Sequence, residues 1–375
     1  MRSMLAVSVG TLVVLGAAAQ ACSSSSTQQG FTVPDGGGSS GGSSGATSSG
    51  GTGSSGGGSS GGTSSSGGLV GDGGTVVTEG GDGSVTVTNT VYANTDDTLY
   101  SVNPQTQAVT PIGPMVGTSD SNTDGTVTDV AVDGSGDVYV NTESVIYKAV
   151  LPAGGTGTVQ LQQVKALTGS TKFYALAFAP VGALDPNNET LVGGDSAGNL
   201  WSIDTSSGAS KNLGNFGADA SQSGHTFELS GDLVFYLDAQ GNPTGLATIR
   251  SCPSGGSGTS CTGDYLAGVN MTNLKAAYSG TAGASLLGGI YGSSSSGPGA
   301  GTGFADVFGL AAWDSTVFGF TRYTKTAAPT LITIDTTSGA GTQVKTFSFP
   351  NNDGWSGAGV TTKVTISVPP PPPAQ

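Results

Sequence analysis

Cationic residues are what this chain has least of. Lys and Arg together number 11 in 375 residues, and none lies between Arg2 and Lys148. A surface so poor in positive charge cannot neutralise phosphates, which argues against DNA and RNA as partners. It also removes electrostatic attraction to anionic lipid headgroups. The formal net charge of −14 fits a solubilising acidic surface and is compatible with cation binding. Histidine occurs once, as His225. A zinc site would lack a second imidazole, and a Ser-His-Asp triad would rest entirely on this residue. A partly exposed His at a strand end is the simpler reading. Long apolar patterns at a period of 3.6 are missing too. Val, Thr and Tyr alternate with small polar residues, which predicts strands.

The N-terminus carries a targeting pattern. Arg2 precedes an apolar stretch, Leu5 to Ala19, that is too short to span a bilayer comfortably. Ala19-Gln20-Ala21-Cys22 follows, then four serines. This segment resembles a bacterial lipobox, although Gln20 departs from the usual small or apolar residue. The resemblance implies cleavage before Cys22, acylation of its thiol and stable attachment to a membrane. The alternative is an ordinary secretory signal cleaved after Ala21. No Asp follows Cys22, a pattern similar to that of diderm lipoproteins sent to the outer membrane, at the cell surface or on the periplasmic face.

Residues 22–85 then form a Gly/Ser/Thr-rich tether with one aromatic residue, Phe31. Such a segment cannot bury enough apolar surface to offset its ordering entropy. As a flexible coil it would reach roughly 45 Å. Residues 369–375 are a Pro-rich tail of polyproline II character.

Between them, 86–368 repeats itself. Leu99–Ala108, Leu200–Ala209 and Leu331–Ala340 align without gaps, each a strand, an Asx-initiated turn and a second strand. Val145–Val150 is a degraded fourth copy. Val130-Ala-Val132, Leu176-Ala-Phe178 and Leu310-Ala-Ala312 read as buried inner strands near an axis. Asp-x-x-Gly-[Asp/Asn] recurs at 133–137, 195–199 and 238–242, suiting tight hairpins. Units of about four strands at spacings of about 45–50 residues predict an all-β chain folded as a β-propeller. A β-sandwich or β-helix is the alternative. Blades are expected around 126–167, 171–217, 225–275 and 304–348, with a further one joining 86–116 to a last strand, Trp355–Val368. Pairing the N- and C-terminal strands would close the ring. The count is five or six, because 250–303 is either an eroded blade or an insertion. Asp195-Ser-Ala-Gly-Asn-Leu-Trp201 and the Leu-Tyr-Ser-Val-Asn repeat resemble NHL-like and quinoprotein-like propeller repeats. Those families include enzymes, sensors and scaffolds, so the resemblance implies a fold more than an activity.

Few residues carry chemistry. With Cys22 acylated, Cys252 and Cys261 remain as an even pair in an oxidising compartment, which predicts a disulfide. Asp120-Ser-Asn122-Thr-Asp124-Gly125 spaces oxygen ligands as calcium loops do, with Thr126, Thr128 or Asp129 completing the shell. The EF-hand form is not met, since Ala131 stands where a bidentate Glu belongs, and a polar turn is the alternative. Arg250 and Arg322 are the only arginines after the signal. Arg322, beside Phe320 and Tyr323, would recognise a carboxylate or sugar acid, or form a structural ion pair between blades. With no nucleophile, base or cofactor motif, the chain reads as a displayed binding module for a protein or glycan ligand. An envelope hydrolase or lyase acting on a glycan or lactone, and a purely structural envelope protein, are the alternatives.

Overall fold

A computed structural model describes residues 90–118, 126–254, 261–275, 284–289, 304, 306–322, 328–350, 353–363 and 365–366. Cys22, the tether, and Asp120, Asn122 and Asp124 lie outside them.

The alternating Val/Thr/Tyr pattern folds into antiparallel meanders. The first contains β1 (Val91–Asn94), β2 (Thr98–Val102) and β3 (Val109–Val116). The second contains β4 (Asp129–Val132), β5 (Val138–Asn141), β6 (Val145–Val150) and β7 (Val159–Ala166). The third contains β8 (Ala175–Ala179), β9 (Thr190–Gly194), β10 (Asn199–Ile203) and β11 (Ser210–Asn215). The fourth contains β12 (His225–Asp238), β13 (Pro243–Pro253), β14 (Thr262–Val269), a short helix α1 (Met271–Lys275) and β15 (Ala284–Gly289). The fifth contains β16 (Val307–Trp313), β17 (Thr316–Thr321), β18 (Thr330–Ile334) and β19 (Gly341–Thr346). Then β20 (Gly357–Gly359) returns to the first meander and pairs antiparallel with β1, Tyr92 opposite Gly359. Last comes β21 (Thr365–Ile366).

The inner strands β4, β8, β12, β16 and β20 touch in succession, and β20 meets β4 again. The chain is therefore a β-propeller, its ring closed by pairing the two ends of the domain. Separate apolar clusters fill the interfaces between successive blades. One packs Phe227, Leu229 and Leu233 against Val192 and Leu200. Another gathers Phe320, Leu331 and Val91 about Trp355, which meets Tyr100, Phe320, Phe347 and Phe349 edge to face.

The repeats owe their shape to local chemistry. Asn103, Asp204 and Asp335 each accept hydrogen bonds from the two backbone N–H groups two and three residues on. Four residues past each of them the backbone turns left-handed, at Gln107 (φ 58°), Gly208 (φ 76°) and Gly339 (φ 74°). Glycine adopts this conformation freely, and the first copy manages it with Gln. Asp133, Asp195 and Asp238 close the tighter hairpins by accepting from the backbone N–H groups two and four residues on.

One sequence expectation is refined and one corrected. Of 250–303, open to being an eroded blade or an insertion, the described residues continue β13 and supply β14 and β15 in one sheet with β12, while 255–260, 276–283 and 290–303 lie outside the described residues. Register shifts, such as that between Leu229 and Leu233, obscured the repeat spacing there. The last strand is also not continuous through Trp355–Val368. It leaves the first blade after Gly359, bridges Val132 through Thr361, and ends as β21 in parallel pairing with Leu237 and Asp238 of β12.

Candidate functional site

The axis of the ring is built from one recurrent position. Asp129, Ala175, Asp232, Gly309 and Gly357 occupy equivalent places on the five inner strands, and the N–H of the following residue reaches the axis each time. Asp129 accepts from Val130 (2.7 Å) and Leu176 (2.5 Å). Asp232 accepts from Leu233 (2.6 Å), Leu310 (2.7 Å) and Ala358 (3.3 Å). Two carboxyls thus tie five strands, and they also hydrogen-bond to each other. Both are fully buried. Burial pushes both pKa values up, and the repulsion of Asp232 raises Asp129 further, well above the carboxylate range. The pair therefore shares a proton. The other three positions must be small to leave room. A Cβ on Gly357 would stand 1.9 Å from Asp129 Oδ1.

The two mouths of the ring differ. On one side of the carboxyl pair, Ala131, Phe178, Val234, Phe235, Leu310 and Val360 leave only about 10 Å³. Past them the C-terminal segment crosses over, Thr361 Oγ1 donating to Asp133 O at 2.7 Å and Thr362 to Glu189. The opposite mouth opens into a cavity of about 260 Å³ walled by residues from each of the meanders described above. Asp96 and Ser356 come from the first blade, Thr126 and Thr128 from the second, and Tyr174 and Ser196 from the third. Leu229, Ser230, Gly231 and Arg250 come from the fourth, and Phe308 and Arg322 from the fifth.

Its two arginines are held differently. Arg322 donates to both oxygens of Asp96 (2.8 and 2.7 Å) and to Ser356 Oγ (2.8 Å), with its guanidinium 5.8 Å from the Phe308 ring centre. Of the two roles open to it, this geometry is that of an ion pair between blades. Beyond it lies a second, polar hollow of about 490 Å³ lined by Asp97, Tyr100, Phe349 and Asp353. Arg250 stands only 3.6 Å from Glu228, and its buried Nε has no hydrogen-bond partner. Ser230 Oγ is likewise buried and unpartnered at hydrogen-bond distance, although it lies close enough to Asp264 to lower that carboxyl. Each unmet group of this kind costs about 1–3 kcal/mol. Asp264 is itself pushed up to about 6 by burial, against a hydrogen bond from the Val307 N–H at 2.8 Å.

Cys252 and Cys261 are joined in the structure, S–S 2.04 Å, fastening the end of β13 to the start of β14. Glu228 lies beside them. The sulfurs are committed to each other, so this group offers a metal no thiolate. His225 sits at the start of β12, its Nδ1 3.2 Å from Ser251 Oγ. Ser251 in turn donates to Asp219 at 2.6 Å and is fully buried. The serine stands between His and Asp, whereas a triad needs the imidazole in the middle. Asp129, a candidate to complete the calcium shell, is instead committed to the axis. Thr128 Oγ1 donates to the carbonyls of Asn141 and Phe173.

Asp129, Asp232, Ser230 and Arg250 carry more of the site than sequence reasoning assigned them. A signal existed, since Asp129-Val-Ala-Val and Asp232-Leu-Val-Phe both place an acid at the head of an apolar inner strand.

No protein-family model matches the chain, and no curated protein does. Among solved structures it is similar to a protein of unknown function from Bacteroides caccae, at 8% identity and TM-score 0.34, over 72% of this chain and 98% of that one. It is similar also to a TolB candidate from Agrobacterium tumefaciens, at 9% identity and TM-score 0.33, over 68% and 72%. A third is virginiamycin B lyase from Staphylococcus aureus, at 12% identity and TM-score 0.27, over 68% and 65%. The fold assignment rests on the strand topology, not on these likenesses.

Proposed function

We propose that this chain is a lipid-anchored cell-envelope protein whose propeller binds a small molecule in its open axial mouth. The observation that carries the binding reading is the asymmetry of the ring. One mouth is crossed by the chain's own C-terminal segment, and the other is a cavity to which every blade contributes. Concave sites with a few convergent polar groups on an apolar lining are where small ligands are held. The carboxyl pair below the cavity is a strap in this reading, because its oxygens accept inner-strand N–H groups.

The test is a saturation-transfer NMR screen of the full chain against a library of small polar fragments, repeated on Ser196→Trp. Ser196 is an exposed residue of the rim. An indole there is expected to abolish binding of cavity ligands while stability changes by less than about 0.5 kcal/mol. Fragments that bind both proteins equally, or no binders at all, would sink the reading. The anchor rests on the Ala19-Gln20-Ala21-Cys22 pattern. Cys22→Ser is expected to shift the protein from the membrane fraction to the soluble one. Retention in membranes would refute acylation at Cys22.

A further inference from the structure

Resting on the binding reading above, we infer that the open mouth takes an uncharged, hydroxyl-rich molecule of about monosaccharide size, met by Ser230 and Arg250.

Charge balance carries the argument. Both guanidiniums in the wall already face a carboxylate, Arg322 in a two-point pair with Asp96 and Arg250 at 3.6 Å from Glu228. Asp264, held by the Val307 N–H, adds a third carboxyl on the Arg250 side. An anionic ligand would find no uncompensated cation and would add charge to an acidic neighbourhood. A cationic ligand would meet carboxylates that the guanidiniums and the Val307 N–H already engage. Neutral oxygens fit both constraints. What the wall lacks is a partner for Arg250 Nε, a donor, while Ser230 Oγ, beside Asp264 but without a partner at hydrogen-bond distance, keeps lone pairs with which to accept. Reorientation of these side chains toward a ligand hydroxyl would satisfy both. Thr128 Oγ1, its proton directed at backbone carbonyls, can still accept, and Leu229 and Tyr174 offer apolar surface for the C–H face of a sugar ring. The cavity, about 260 Å³, lies just below the roughly 300–1,000 Å³ of drug-sized pockets. The sugar-acid ligand that the sequence suggested for Arg322 is thereby disfavoured, since Asp96 occupies the position a ligand carboxylate would take.

The experiment is calorimetric titration of the full chain at pH 7 with glucose, galactose, mannose, xylose and N-acetylglucosamine. Glucuronate, galacturonate and mannuronate serve as charged counterparts. At least one neutral sugar is expected to bind with a millimolar or tighter Kd, and its uronate at least tenfold more weakly. Ser230→Ala and Arg250→Lys are each expected to weaken that sugar at least tenfold. Arg250→Lys keeps the positive charge opposite Glu228 but removes the Nε–H. A uronate that binds as tightly as its neutral sugar overturns the inference, as does wild-type affinity in Arg250→Lys. If Arg250→Lys fails to fold, Ser230→Ala and the neutral-to-uronate ratio decide. If no sugar binds while the fragment screen yields ligands lost in Ser196→Trp, the sugar inference alone falls. If that screen is also empty, the binding reading falls with it.

Discussion

Asp232→Ala is expected to lower folding stability by about 3–5 kcal/mol, upwards of about 1 kcal/mol for each of the donors left unmet, read as a fall in the urea midpoint at pH 5 with an unchanged m value. The size follows from where the side chain sits. Its carboxylate is fully buried and accepts from the N–H groups of Leu233, Leu310 and Ala358, on three different inner strands. Truncation leaves those donors unmet, orphans Asp129 and opens a void where the blades converge. Asp129→Asn should be milder, costing about 1–2 kcal/mol, because an amide still donates to Asp232 but accepts one N–H fewer. A loss below about 1 kcal/mol for Asp232→Ala would mean that the inner strands hold together without the strap.

The second large effect is a stability that falls as pH rises from about 4 to 7. Asp264, Asp129 and Asp232 all have folded pKa values raised by burial. A raised pKa means that the folded state holds more protons than the unfolded chain. Its stabilisation is complete below the unfolded value, about 3.9, and is lost as pH climbs through the folded value. For Asp264, pushed up to about 6, the loss amounts to roughly 3 kcal/mol between pH 4 and 6. The axial pair extends the decline to higher pH. Asp204, held near 2 by the Ser206 hydroxyl and N–H, behaves oppositely, as do Asp185 and Asp335 under backbone hydrogen bonds. Their contribution is present above the unfolded value and lost as pH falls below it. The stability maximum is therefore expected near pH 4–5. Urea unfolding across pH 3–8 checks this, and Asp264→Asn should flatten the pH 4–6 limb. A wild-type curve that rises from pH 4 to 7 would refute the assignment.

The acidity of the chain is thus of two kinds that composition does not separate. Turn carboxylates such as Asp204 and Asp335 lie at the surface and organise local backbone. Asp129, Asp232 and Asp264 lie inside, where each retained charge opposes folding.

Sequence by itself determined the strand content, the propeller and its closure by paired ends, because these follow from local patterns. Period-two alternation marks strands. The Asn103, Asp204 and Asp335 turns recur at fixed offsets from Leu99, Leu200 and Leu331, and small residues mark the inner strands. It also left only two arginines after Arg2, and one histidine, to build any site. Tertiary structure decided which of these mattered. Arg322 and Asp96 are 226 residues apart, and Arg322 was open to a ligand role until Asp96 paired with both of its terminal nitrogens. Arg250 carried no local signal, since its loose pairing with Glu228 and its unmet Nε depend on how the side chains pack in the fold. Asp129 was open to a calcium shell and Asp232 had no assigned role until closure of the ring set them together on one axis. Long-range convergence depends on how blades are staggered about that axis, and the bulges and strand extensions of β12 to β15 that set this stagger have no repeat to be read from.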